Sequence, residues 1–484
     1  MIKRAAGMVA ASALLCGAIA ITTSNGMIPI NTSSQEAPVI LELKPDTEGI
    51  SYTTKQPIGI LRVGGLQDTF TPATDYGQIF PCAVNIVGWD EQGMPIYRYA
   101  LADSSGEWIT NPVYTSVERM SCQGKLIWVL HERTQNGSER VSCVGQNGSW
   151  QLGPFDGTIT IEDNCIFVRK TDNNVTMVFN SKGKIVGQVP GTVTSCNDGI
   201  IISCEGAEKN TWHISNASSA KKLATVTAKH VGRFSSGNAT VQISDTQWGF
   251  VDKNGTITTT TATWIDECYD GYALAKNGNL FGIIDVSGNV VGTYEYVKGT
   301  HCSDELPIYQ LWKNKEECMV FHAPSKQKLM LPKDLHAQPL VALPENHFAY
   351  IDENNKTVIF DDLENMELED KATFYQQEDF VIAVMENGYQ LFDLDDNKIG
   401  KLHTYQYVVP QQPAAQEDSV FTVTNPETGL QGIANTSGKI VLDAEYDSIF
   451  SIDGSYFAAV QNSWSGIVDS NGEWIVRTLL TGVN

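Results

Sequence analysis

Residues 248–257 read WGFVDKNGTI, and residues 281–290 read FGIIDVSGNV. In each, a glycine-containing apolar run leads to an aspartate, a second glycine follows three residues later, and the chain then extends again. This is the composition of a β-hairpin connection. Asp252 at the turn start accepts bonds from the turn amides, and Gly255 takes the left-handed conformation that lets the second strand pair in register. The same chemistry recurs at Asp103 to Gly106, Asn180 to Gly183, Asp285 to Gly288, Asn435 to Gly438 and Asp469 to Gly472.

The intervals between these turn starts, 77, 72, 33, 150 and 34 residues, are near-multiples of about 36. Degenerate copies fall in the gaps. With them, about eleven units start at 103, 145, 180, 216, 252, 285, 322, 361, 393, 435 and 469. Good units add a short aromatic segment after the turn, such as Trp264-Ile265 or Tyr446 to Ile449, and then a small-residue strand, such as Gly271 to Ala275. A unit of three or four short strands cannot bury both of its faces alone, so neighbouring units must stack. The expected fold is all-β: tandem ~36-residue antiparallel β-meander repeats, β-propeller-like, as one or two propellers or, alternatively, an open solenoid-like array. The last unit stops soon after Trp474-Ile475-Val476, so Val39 to Leu43 or Ile58 to Val63 is expected to complete it.

Trp248-Gly249-Phe250-Val251-Asp252 resembles the WG repeat family of bacteria. Phe281-Gly282-Ile283-Ile284-Asp285, Gln431-Gly432-Ile433 and Ser465-Gly466-Ile467-Val468-Asp469 keep the glycine and replace the tryptophan. The resemblance is clearest at 245–300 and 420–476, within a repeat region of 38–484. It implies an all-β scaffold, commonly exported or surface-attached, with no shared catalytic residues.

At the N-terminus, Lys3 and Arg4 precede an apolar run from Ala5 to Ile21, the layout of an export signal. Residues 1–20 are read as a signal peptide cleaved after Ala20, or alternatively as a membrane anchor, and residues 21–37 as a polar linker. The protein is therefore expected to be secreted or held at the extracytoplasmic cell surface. Its net charge of -23 repels nucleic acid phosphates. Fourteen acidic residues lie in 351–400 against Lys356, Lys371 and Lys398, a solvated face on the plainest reading. Nine cysteines follow the signal; they are read first as small buried residues, with Cys268 and Cys302, at equivalent places in adjacent units, as the pair to test for a disulfide.

No catalytic, cofactor-binding or metal-binding residue is named from the sequence. Asp252, Asp285 and Asp469 share their slot with Asn180 and Asn435, which points to turn bonding and away from a catalytic carboxylate ring. Asp393, Asp395 and Asn397 begin like a calcium loop, but Lys398 stands where the glycine is needed. Trp108, Trp128, Trp150, Trp248, Trp264, Trp312, Trp464 and Trp474 are read as fillers between sheets, with a sugar-stacking face as the alternative. The function expected is a scaffold that binds a protein or glycan ligand, without catalysis or cofactor, through its loops and degenerate units, above all the acidic stretch at 352–396. An extracellular propeller-type glycan hydrolase and a purely structural surface spacer are the alternatives.

Overall fold

The computed structural model describes residues 70–331 with short breaks at 71, 73–75, 91–94, 134–137, 172–173, 207–209 and 303–306. It further describes strands between 341 and 407, and residues 420–480 apart from 426 and 436–438. Every regular element among the described residues is a β-strand. The strands form one six-stranded sheet over 79–155, followed by nine four-stranded sheets, each with its strands hydrogen-bonded in chain order. This is the expected all-β, propeller-type meander. Contacts divide the chain into two units: one takes in the described residues of Met1–Ile159, Asn387–Leu391 and Ile399–Asn484, the other those of Thr160–Glu386 and Phe392–Lys398.

In the sheet spanning 230–259, the WG stretch Trp248–Asp252 is the third strand. It pairs antiparallel with Asn238–Gln242, placing Asn238 opposite Asp252 and Gln242 opposite Trp248. On its other side, Gly249 to Val251 pair with Ile257–Thr259. The turn between the third and fourth strands closes as the sequence suggests: the Gly255 amide donates to the Asp252 carbonyl at 3.0 Å, the Asp252 amide to the Thr256 carbonyl at 3.0 Å, and Gly255 has φ of 81°.

Both faces of the third strand are covered. Val251 packs backward, in a cluster with Ile202, Ile214 and Val241 that joins its sheet to the one before. Phe250 packs forward, with Ile265, Ala273 and Ile284 of the sheet after. One repeat later, Ile284 faces back into that cluster while Ile283 faces forward, toward Tyr309 and Phe321. Adjacent residues of a strand point to opposite faces, so a two-residue apolar step suffices to stitch three sheets. The WG glycine serves the backbone: a Cβ on Gly249 would lie 2.3 Å from the Thr258 carbonyl oxygen, and one on Gly466 at 2.0 Å from that of Val476. The fourth strand therefore presses on a position where no side chain fits.

Ten of the eleven expected turn starts, from 145 to 469, fall between the last two strands of a sheet. The turn at Asp103 instead joins the second and third strands of the six-stranded sheet, Pro95–Asp103 and Tyr114–Cys122, so eleven turns give ten sheets. The final sheet is also complete, against the expectation that it lacks strands. Ser448–Ser451, Tyr456–Gln461, Trp464–Asp469 and Trp474–Leu479 make four. Each sheet ends with the strand that follows the turn, so Trp474–Leu479, after the turn at Asp469, is the closing strand of the last sheet. Val39 to Leu43 and Ile58 to Val63 lie outside the described residues.

In the first unit, the last sheet uses its forward face on the N-terminal sheet. Val468 packs back with Ile433 and Leu442. Ile467, equivalent to Phe250, packs with Phe80, Leu101 and Trp128. The rings of Phe80 and Tyr456 lie 5.0 Å apart, and Asp453 Oδ2 accepts from Gln78 Nε2 at 2.9 Å and Gln146 Nε2 at 3.2 Å.

Candidate functional site

The recurrent turn aspartates are bound to their own turns. Asp252 Oδ1 accepts from the amides of Asn254 at 2.9 Å and Thr256 at 2.8 Å. Asp285 does the same with Ser287 and Asn289, and Asp469 with Asn471 and Glu473, all at 2.9 Å. Asn180 Oδ1 accepts from Lys182 and Lys184, and Asn435 Oδ1 from Lys439. These oxygens set turn geometry, as an acceptor shared by Asp and Asn requires.

A different set of side chains gathers in the second unit, where the first strand of each sheet turns into the second. Glu162, Arg233, Glu267 and His301 occupy this place in four sheets. Arg233 Nε lies 3.9 Å from Glu267 Oε2, and its guanidinium sits 5.4 Å from the centre of the Tyr269 ring. The Tyr269 hydroxyl donates to Glu267 Oε2 at 3.4 Å. Tyr269 also stacks on His301, with ring centres 3.8 Å apart and planes inclined by 15°, and His301 in turn lies 5.2 Å from Tyr309. Glu162 Oε2 accepts the Cys196 amide at 2.7 Å. Burial pushes the Glu162 carboxyl above its ordinary range, against the opposing pull of that amide and of Arg233.

Neighbouring turns in this row are tied together. Asn197 Nδ2 donates to the Phe234 carbonyl at 2.6 Å, and the Gly237 amide to Asp198 Oδ2 at 2.8 Å. Ser236 Oγ donates to Asp270 Oδ1 at 2.7 Å, while Ser235 Oγ accepts the Asp270 amide at 2.9 Å. The Ser235-Ser236 turn thus holds the next sheet as well as its own. The row presents a cation, carboxylates and an imidazole on a braced backbone; Arg233 and Glu267 are 28% and 29% exposed, enough to meet a ligand.

The residues match the WG containing repeat family over 432–463. The chain carries a WG repeat. This WG repeat begins at the third-strand glycine Gly432 and ends before Trp464, so it takes the second half of one sheet and the first half of the next. No curated protein sequence matches the chain. Among solved structures, it is similar to a eukaryotic initiation factor at 9% identity and a TM-score of 0.38, covering 73% of this chain and 95% of that one. It is also similar to apo AztD from Citrobacter koseri, at 12% identity and 0.31, covering 71% and 92%. A third is Hsv2 of Kluyveromyces lactis, at 9% and 0.29, covering 59% and 96%. At these scores none of them bears on function.

The tryptophans are spread over separate clusters. Trp128 is fully buried and donates through Nε1 to the Ile79 carbonyl at 3.0 Å, Trp248 packs beside Phe250, Trp264 beside Leu274, and Trp464 beside Trp474. Lys298 covers the ring of Trp312 at 4.0 Å, and Arg477 that of Trp464 at 4.7 Å. Asp395, Asn397 and much of the acidic stretch at 352–396 lie outside the described residues. Sequence reasoning passed over Glu162, Arg233, Glu267 and His301 because one structural slot holds four chemistries. The available signal was position: each precedes the turn starts at 180, 252, 285 and 322 by 18 to 21 residues.

Proposed function

We propose that the protein is an exported or cell-surface β-repeat scaffold that acts by binding a protein or other extracellular ligand, without catalysis. Its ligand seat is the row of first-to-second-strand turns carrying Glu162, Arg233, Glu267 and His301. The observation that carries this reading is the contrast between the two ends of the hairpins. Carboxylates at the third-to-fourth turns are committed to turn amides, whereas Arg233 and Glu267 meet solvent on a braced framework. Rigid scaffolds commonly place recognition on such turns.

The test is binding of the labelled chain lacking residues 1–20 to intact cells of its own source, compared with Arg233→Glu. Charge reversal should lower cell binding by about tenfold, as for loss of a charge-assisted contact. Asp252→Asn should leave it unchanged. Equal binding by the Arg233→Glu protein would remove the seat from this row, and recovery of the native chain only from the cytoplasm would remove the export.

The raised carboxyl of Glu162, with Glu267 on the neighbouring cation, favours one alternative: an extracellular glycan hydrolase with Glu162 as the acid. Reducing-end release from a panel of polysaccharides that disappears in Glu162→Gln would replace the binding reading. The expected result is no release by either protein.

A further inference from the structure

Cys165 opens the second strand, Cys165–Lys170, of one sheet of the second unit. Cys196 is the penultimate residue of Thr192–Asn197, the first strand of the next sheet. They are 4% and 5% exposed, in one apolar cluster with Phe167, Val178 and Ile201 that fills the space between the two sheets. Glu162 Oε2 holds the Cys196 backbone through its amide, and Cys165 Sγ lies 3.7 Å from the Ala217 carbonyl oxygen. The Glu162 contact, three residues before Cys165, thus sets the Cys196 end of its strand beside the start of the Cys165 strand, with both thiols in the one cluster. Both are thiols in this structure.

Equivalent positions in stacked sheets are separated by the sheet spacing of about 10 Å, whereas a disulfide wants Cα atoms within ~7 Å. Cys268 and Cys302 are such equivalent positions, each just past a first strand, Trp264–Ile265 and Lys298–His301. Cys165 and Cys196 form a diagonal pair, the start of one second strand against the end of the neighbouring first strand, and this offset seats both side chains in the same cluster between the sheets.

We propose that Cys165 and Cys196 form an intersheet disulfide when the chain folds in the presence of a small-molecule disulfide such as oxidised glutathione. The Cys165 thiolate attacks one sulfur of the oxidant, forms a mixed disulfide and expels a thiolate that takes up a proton. Cys196, losing its own proton, attacks the Cys165 sulfur and expels the second thiolate. The protein loses two hydrogens and two electrons, and the oxidant becomes two thiols. Either thiol can make the first attack while the chain is still open, and the exchange balances in the same way from both sides. Both sulfurs are sealed in the folded core, so the bond forms during folding. It staples two sheets that are otherwise joined by apolar packing.

The experiment is to refold the full chain from its reduced, denatured state in oxidised and reduced glutathione, alkylate the remaining thiols, and map disulfide-linked peptides by mass spectrometry. The expected result is a peptide pair joining Cys165 to Cys196, in a chain lighter by two hydrogens that regains both thiols on reduction. Cys196→Ser should abolish the linked pair and leave Cys165 alkylated. A Cys122→Ser, Cys143→Ser double variant should retain the link, which separates loss of the bond from a general failure to fold. Alkylation of both Cys165 and Cys196 in the refolded wild-type chain, or a bond from either to a third cysteine, would overturn the proposal. This outcome is independent of where the protein resides and of what it binds.

Discussion

The side-chain oxygen of Asp252 is the smallest unit that explains the repeat. Its two bonds to turn amides fix the direction in which the fourth strand leaves. Asp252→Ala should lower stability by about 1 kcal/mol, the net worth of a hydrogen-bonded turn acceptor, whereas Asp252→Asn should cost only a few tenths because Asn180 and Asn435 do the same work. Urea unfolding followed by tryptophan fluorescence measures both. The acid behaviour should differ as well. Burial pushes the Asp252 carboxyl up, but the bonds from Thr256 and Asn254 together outweigh it and leave the group below its ordinary value. A carboxyl depressed by folding contributes its full stability above the unfolded value, about 3.9, and loses it as the pH falls through the lower folded value. The difference between wild type and Asp252→Asn should therefore shrink on acidification below about pH 4; a difference that stays constant to pH 2 would contradict the charge-based part of the account.

At the scale of the element, the third strand is a two-sided fastener. Phe250 reaches the sheet after it and Val251 the sheet before. Phe250→Ala should cost about 3–5 kcal/mol, because the ring leaves a cavity that two stacked sheets cannot close. Hydrogen exchange should quicken in both the 230–259 and the 264–296 sheets, and quickening of the first alone would show that the forward contact is weak. The hairpin was legible from Asp252 to Gly255 because turn chemistry is local. Its place in the sheet was not. Asp103 accepts the amides of Ser105 and Glu107 at 2.9 Å just as the others do, but Glu107 to Thr110 return only as far as an isolated bridge between Ala102 and Trp108 before the chain enters the long strand Tyr114–Cys122. Identical turn chemistry thus sits between different strands, depending on which partners the flanking residues find. The row of Glu162, Arg233, Glu267 and His301 was hidden for a related reason: its members share a location and no common residue type.

Over the whole first unit, the forward face of the last sheet needs a partner, and the N-terminal sheet supplies it through Phe80, Trp128 and the two glutamines that reach Asp453. Phe80→Ala should cost about 3–5 kcal/mol within this unit. Amide exchange should accelerate through 448–479 while the 264–296 sheet keeps its wild-type protection. Acceleration everywhere would mean that the two units open as one. Sequence alone determined the repeat length, the all-β class, the turn type and the structural role of the recurrent aspartates, since each depends on residues within a few positions of one another. Tertiary structure alone decided that the described residues make ten sheets, that the last of these is complete and packs on the first, that Arg233 meets Glu267, and that Cys165 and Cys196 share one cluster. Those pairings cross from sheet to sheet, and stacking brings together positions that the chain keeps a repeat or more apart.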